Sequence, residues 1–134
     1  MSRENVEVVR SIYADWARGD FRSTEWADPA IEWVWADGPT PGSRTGIAAM
    51  KETWRDFLSA WQGVRAEGAE YRVLDDERVL VIFRRSGRGR SSGLDLGHLQ
   101  SKGATLFELR GGKVTRLVIY HEAEGALEAV GLRE

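Results

Sequence analysis

Two histidines and no cysteine leave few groups able to move a proton near neutral pH, where an unperturbed imidazole titrates at about 6.5. His121 ends the run KVTRLVIYHE, Lys113 to Glu122. Val114, Leu117, Val118, Ile119 and Tyr120 favour extended backbone, and the following EAEGALEAVGL reads as a short helix closed by Gly131. His121 is therefore either a general base at a strand end, where it can take and return a proton, or a joint residue that hydrogen-bonds backbone while Glu122 caps the helix. His98 lies in DLGH, three residues after Asp95. On a strand these two point to opposite faces and form no dyad unless Gly97 makes a bulge.

Other chemistries fall away on residue type and spacing. Without cysteine there is no disulfide, thiolate nucleophile or cysteine-held zinc. Two histidines and scattered carboxylates show no ligand spacing, so neither a metal nor another cofactor is expected. Arg84, Arg85, Arg88 and Arg90, in RRSGRGRSSG, form a basic run without aromatics to stack bases, and read as a solvated hairpin tip rather than a nucleic-acid contact. The Gly-x-Gly in that run precedes no helix and is no phosphate loop. A net charge of −2 supplies no field to attract nucleic acid or an anionic membrane, and no apolar run reaches bilayer-spanning length. The start, MSRENVEVVRS, lacks the apolar core of a secretion signal, which makes the cytoplasm the expected location.

The elements that must position these groups follow from the pattern. The 134 residues, 42% apolar and 30% charged, suit one soluble domain spanning 1–134. Six tryptophans imply a large aromatic core or an aromatic-lined cavity. Val6, Val9, Ile12, Tyr13 and Trp16 recur at steps of three and four and define one face of a first helix, stopped at Gly19-Asp20. FRSTEWADP reads as a short second helix ended by Asp28-Pro29. AIEWVWA is a strand with Ile31, Trp33 and Trp35 on one face. DGPTPGSRTG is a turn-rich loop, and Thr45 caps the amphipathic helix GIAAMKETWRDFLSAW, whose apolar side carries Met50, Trp54, Phe57, Leu58 and Trp61. VRAEGAEYRVLDD, RVLVIFRR, the stretch from LDLGHLQSK to ATLFELR, and KVTRLVIYHE follow as strands. Gly111-Gly112 marks a tight hairpin. Helices followed by antiparallel strands make an α+β arrangement.

The phrases ENVEVVRSIYADWARGDF, WADPAIEW, GIAAMKETWRDFLSAW, LFELRGGKVTRLVIY and ALEAVGL together resemble the NTF2-like superfamily, and within it the SnoaL-like group, over nearly the whole chain. The resemblance implies a cone: a strongly curved mixed or antiparallel sheet wrapped around the N-terminal helices, with an internal pocket. It implies that Leu117, Ile119 and His121 face inward on the last strand, Thr105, Phe107 and Leu109 on the strand before, and Ile31, Trp33 and Trp35 on the first. Ile12, Tyr13, Trp16, Trp33, Trp35, Trp54, Phe57, Thr105, Phe107, Leu117 and Ile119 are the residues expected to line the pocket. It also implies a homodimer through the outer sheet face, with Val79, Val81, Val118 and Tyr120 as its surface.

The branches of that superfamily ask for different chemistry. Steroid isomerases need a strand-one carboxylate, a tyrosine and a protonated aspartic acid. The corresponding positions here are Trp35, Ile12 and Thr105, although Asp37 and Tyr13 stand close by. The Asp-Arg-Asp trio of the epoxide hydrolases has no inward positions to supply it. Polyketide cyclases need one acid/base and an apolar pocket for a flat ring. His121 is the candidate for that base, held neutral by burial among aromatics, with the Thr105 hydroxyl as a donor to a carbonyl. Asp37 and Arg44 flank the loop at the mouth of the cone, either gating a polar ligand group or as plain surface residues. The expected function is binding of a small apolar or polycyclic molecule, with proton transfer by His121 (cyclisation, isomerisation or dehydration). The alternative is a non-catalytic ligand-binding or scaffold domain.

Overall fold

A computed structural model of the chain describes residues 2–36, 42–89, 102–120, 122–129 and 131. Helix α1, Ser2–Ala17, buries Val9, Ile12, Tyr13 and Trp16 along one side. It ends where Gly19 enters the left-handed region, at φ 78°. There Asp20 N–H bonds the Asp15 carbonyl and Gly19 N–H bonds the Trp16 carbonyl, a paired closure that a glycine at this place permits.

The segment after it is not the expected second helix. Phe21 to Trp26 is turn and irregular backbone. The Asp20 carboxylate takes the Arg22 backbone N–H, and the Trp26 indole N–H bonds the Ser23 carbonyl at 2.9 Å. Phe21 and Trp26 both pack on the core. Five residues apart, they would lie on different faces of a helix, so only a non-helical path seats both.

Strand β1, Ala27–Trp35, starts earlier than the alternation indicated. Its pairing with the last strand is irregular between Ala27 and Glu32, around Pro29, which has no N–H to give a ladder. A short strand, β2, Gly42–Thr45, lies antiparallel to β1. All four of its residues are exposed, and without an apolar face it read as loop. Thr45 therefore belongs to a strand, and Gly46 stands just before the next helix, its carbonyl accepting the first helical bond from Met50 N–H. Helix α2 runs Ile47–Ala60. Trp61, expected at its end, instead opens strand β3, Trp61–Val73.

Strands β4, Arg78–Gly89, β5, Gly103–Arg110, and β6, Lys113–Tyr120, complete the sheet. Helix α3, Ala123–Ala129, follows. The order across the six strands is β2-β1-β6-β5-β4-β3, antiparallel except for β1 beside β6. Gly111 and Gly112, at φ 60° and 79°, form the tight β5–β6 turn that needs positive φ at both positions. Because β4 continues to Gly89, Arg84 to Gly89 is strand rather than the tip of a loop. The result is an α+β cone: a curved mixed sheet closed over α1 and α2.

The two sheet faces have separate cores. The inner one joins α1 residues to Ile31, Trp33, Val79, Val81, Phe83, Phe107, Leu109, Leu117 and Ile119. The outer one joins Leu80, Ile82, Ala104, Leu106 and Val118 to Ala126 and Leu127 of α3, with Tyr120 packed beside them. This corrects the expected dimer surface. Val79 and Val81 point inward, and α3 of the same chain covers the apolar outer face. Next to that patch Arg116 bonds Glu32 and Glu108, each at 3.1 Å, linking β1, β6 and β5.

Candidate functional site

The inner face brings together two hydroxyls that are 92 positions apart. Tyr13, on α1, donates to Thr105 Oγ1, on β5, at 2.9 Å. Only 2% of Tyr13 and 1% of Thr105 is exposed. The Tyr13 ring meets Trp16 edge-on at 4.9 Å and packs against Phe83, Phe107 and Tyr71 at about 6 Å. Burial pushes the Tyr13 phenol far above its ordinary range. The Thr105 bond pulls the other way, Tyr71 adds to the rise, and the Arg85 charge opposes it. Tyr13 is thus a neutral hydrogen-bond donor at any working pH, and not a base. Thr105 brings an O–H of its own as well as two acceptor lone pairs to this pair. Tyr13, rather than Ile12, is the helix-one side chain that reaches Thr105.

Beside this pair lies a cation that sequence reasoning assigned to a solvated tip. The Arg85 guanidinium stands 5.3 Å from the centre of the Phe83 ring. Gly103 makes room for both. A Cβ there would come within 2.8 Å of Phe83 Cζ and 3.1 Å of Arg85 Nη1. The missed signal was the period-two series Val79, Val81, Phe83, Arg85, which puts Arg85 on the face of three buried apolar residues. Arg10 lies over the Tyr71 ring at 4.4 Å, a cation–π contact.

A cleft of about 520 Å³ opens where the end of α1, the Phe21–Trp26 segment and α2 meet. Its apolar wall is Trp16, Phe21, Trp26 and Trp54, with Met50 and Leu58. These rings pack on one another: Trp16 and Phe21 stack at 5.9 Å, and Trp54 sits 5.3 Å from Trp16 and 4.8 Å from Phe21. Arg22, Lys51 and Arg55 supply positive charge at its edge, and Ser23, Thr24 and Ser59 supply hydroxyls.

The expected pocket residues divide accordingly. Trp16 and Trp54 line the cleft. Ile12, Tyr13, Trp33, Thr105, Phe107, Leu117 and Ile119 are buried in the cone, and Trp35 is half-buried, edge-on to Trp33 at 5.9 Å. Trp33 connects the two groups, since its ring meets Trp54 at 4.9 Å. Its indole N–H is fully buried with no hydrogen-bond partner among the described residues. Arg44 is exposed and pairs with Glu52 at 3.1 Å. His121, His98, Asp37 and the side chain of Phe57 lie outside the described residues. Among the described residues no group of three or more histidines and carboxylates could hold a metal ion, and no helix is long and apolar enough to cross a membrane.

Comparison with known proteins agrees with this architecture. Bal32a, from a soil-derived mobile gene cassette, is 24% identical, with a TM-score of 0.73 and 89% of each chain covered. TerC, solved co-crystallised with polyporic acid, is 22% identical, with a TM-score of 0.72 over 96% of this chain and 98% of its own. A protein with a ketosteroid isomerase-like fold from Catenulispora acidiphila, solved in complex with trimethylamine, is 15% identical. Its TM-score is 0.69 over 95% of this chain and 94% of its own. At such identities the likeness is one of fold. No curated protein matches the chain. The model of the SnoaL-like domain matches residues 9–117, and with most of its length inside that match the chain belongs to the SnoaL-like domain family.

Proposed function

We propose that this protein binds a small, flat, largely apolar molecule against the Trp16, Phe21, Trp26 and Trp54 wall, and transfers a proton on a carbonyl compound with His121 as the base. The aromatic cleft carries the reading: about 520 Å³ falls in the range of small-molecule sites, and rings of this kind stack on flat ligands. Tyr13 connects it to the cone interior, touching Trp16 on one side and Thr105 on the other. Thr105 lies behind the cleft wall, so in this reading the ligand's carbonyl reaches past Trp16 into the cone, where the Thr105 hydroxyl is the donor that polarises it. His121 enters by its place in the sequence, two residues past Ile119. Two relatives in fold were solved with small molecules, polyporic acid and trimethylamine, which supports ligand binding on this scaffold. A cytoplasmic location and a homodimer belong to the same proposal. Its dimer contact would include the Glu32–Arg116–Glu108 ladder and α3, and sedimentation velocity measures that assembly.

A second reading, binding without catalysis, is favoured by the cleft's lining, which among the described residues contains no carboxylate and no histidine. One experiment separates the two. Flat polycyclic ketones should change the tryptophan fluorescence, and the protein should accelerate exchange of their α-protons with deuterium. His121→Gln should keep the first effect and lose the second. Exchange unaffected by that substitution removes His121 as the base, binding without exchange leaves the second reading, and an unchanged fluorescence removes both.

A further inference from the structure

Around the aromatic wall every charged side chain that lines the cleft, among the described residues, is cationic: Arg22, Lys51 and Arg55. Lys51 and Arg55 stand four apart on α2, on the same helix face. Like charges at that spacing work against the helix. The carboxylates nearby do not relieve the repulsion. Glu52 is engaged by Arg44, Asp20 is engaged by Arg22 at 3.1 Å, and neither Lys51 nor Arg55 has an ion-pair partner among the described residues. Trp54 lies between Lys51 and Arg55 in the sequence and presents its ring to the same cleft.

From this we infer that the ligand is a flat aromatic acid, ionised at neutral pH, with its rings against Trp16 and Trp54 and its anionic group at Lys51 and Arg55. The inference rests on the ligand-binding reading above and narrows it to a substrate class. The physical basis is charge complementarity over an apolar floor. The rings supply contact area with little orientation preference. Two unpaired cations supply direction, and the Arg55 guanidinium can meet a carboxylate through two parallel hydrogen bonds. Arg22, already neutralised by Asp20, contributes less. The hydroxyls of Ser23, Thr24 and Ser59 can donate to the same oxygens.

Calorimetric titration of the full chain with anthracene carboxylate and with the matched neutral carboxamide tests this. The carboxylate should bind about tenfold more tightly or better, a difference of one decade in Kd. Added salt should weaken the carboxylate and leave the carboxamide unchanged, because exposed charges are screened within about 10 Å at 0.1 M. The paired substitution K51Q/R55Q should bring the carboxylate down to the carboxamide's affinity. A thermal melt of that variant, close to wild type, shows that the fold is intact. Equal affinity for the two compounds overturns the acid and leaves the ligand-binding reading standing. A preference that persists in K51Q/R55Q overturns the assigned cations. Binding of neither compound removes the cleft as a ligand site, and the reading above with it.

Discussion

Tyr13 on the first helix and Thr105 on the fifth strand share a hydrogen bond at 2.9 Å with almost no exposure to solvent. Thr105→Val leaves the Tyr13 phenol buried without an acceptor, and such an orphan costs about 1–3 kcal/mol. Tyr13→Phe removes the orphan itself and should cost less, about 0.5–1.5 kcal/mol. The double variant should be less destabilised than the sum of the two, since the second change removes a group already stranded by the first. Urea denaturation of the four proteins measures the coupling, and strict additivity would show that the bond contributes nothing.

The same burial sets a pH response. The folded Tyr13 phenol titrates far above the ordinary value of 10.0, chiefly through desolvation. Burial also raises Tyr71, less strongly, against the pull of Arg10. For a group that ionises to an anion, a raised folded pKa means that the unfolded state gives up its proton first. Stability is therefore whole below about pH 10 and falls as pH rises beyond it. Tyr13→Phe should flatten that fall. Phenolate absorbance during alkaline titration should show one of the three tyrosines ionising only on unfolding. A tyrosine spectrum that titrates fully in the folded state would rule this out.

Gly103 leaves no room for a methyl group. A Cβ would stand 2.8 Å from Phe83 Cζ and 3.1 Å from the Tyr120 carbonyl oxygen. A side chain can turn away, but the carbonyl is held in the sheet. Gly103→Ala should therefore cost about 1–3 kcal/mol, as overpacking of a filled core does, and should displace the ring of Phe83. The melting temperature and the Phe83 aromatic resonances report both effects.

On the outer face, the Glu32–Arg116–Glu108 ladder is the contrasting case. Its three side chains are 42%, 40% and 34% exposed, so solvent screens their attraction. Arg116→Gln should cost about 0–1 kcal/mol despite breaking two ion pairs. That small loss should shrink further in high salt, which denaturation with urea at two salt concentrations would detect.

Period-two alternation made much of this architecture readable. Ile31 and Trp33 against Glu32 on β1 separate cleanly because that strand has a different environment on its two faces. On β5 and β6, by contrast, both sets are apolar, and it is the family resemblance that implies Phe107, Leu109, Leu117 and Ile119 as the inward ones. In β4 the same rule fails. Val79 and Val81 alternate with Leu80 and Ile82, and both sets are apolar, so the pattern defines two faces without saying which helix covers each. The helices decide, with α1 on the first set and α3 on the second. Phe21 and Trp26 were misplaced because their conformation answers to the core and not to local propensity. β2 has no apolar side chain to announce it. The cleft was harder still, since Trp16, Trp26 and Trp54 come from three segments that no periodicity links. Arg85 was hidden by charge: among other arginines, it read as solvent-facing.

The parallel seam between β1 and β6 has a further consequence, for the way the chain folds. β3 to β6 are joined by near neighbours in sequence, and each pairs with the next as the chain turns back. β1 pairs locally with β2, but its other edge waits for a partner 84 residues away, as Glu32 and Arg116 show. Contacts of such long range are slow to form, because the loop must close before any bond rewards it. The meander can therefore assemble first, with Trp33 arriving on a surface already made. Substitutions along the seam should speed unfolding and leave the refolding rate almost unchanged.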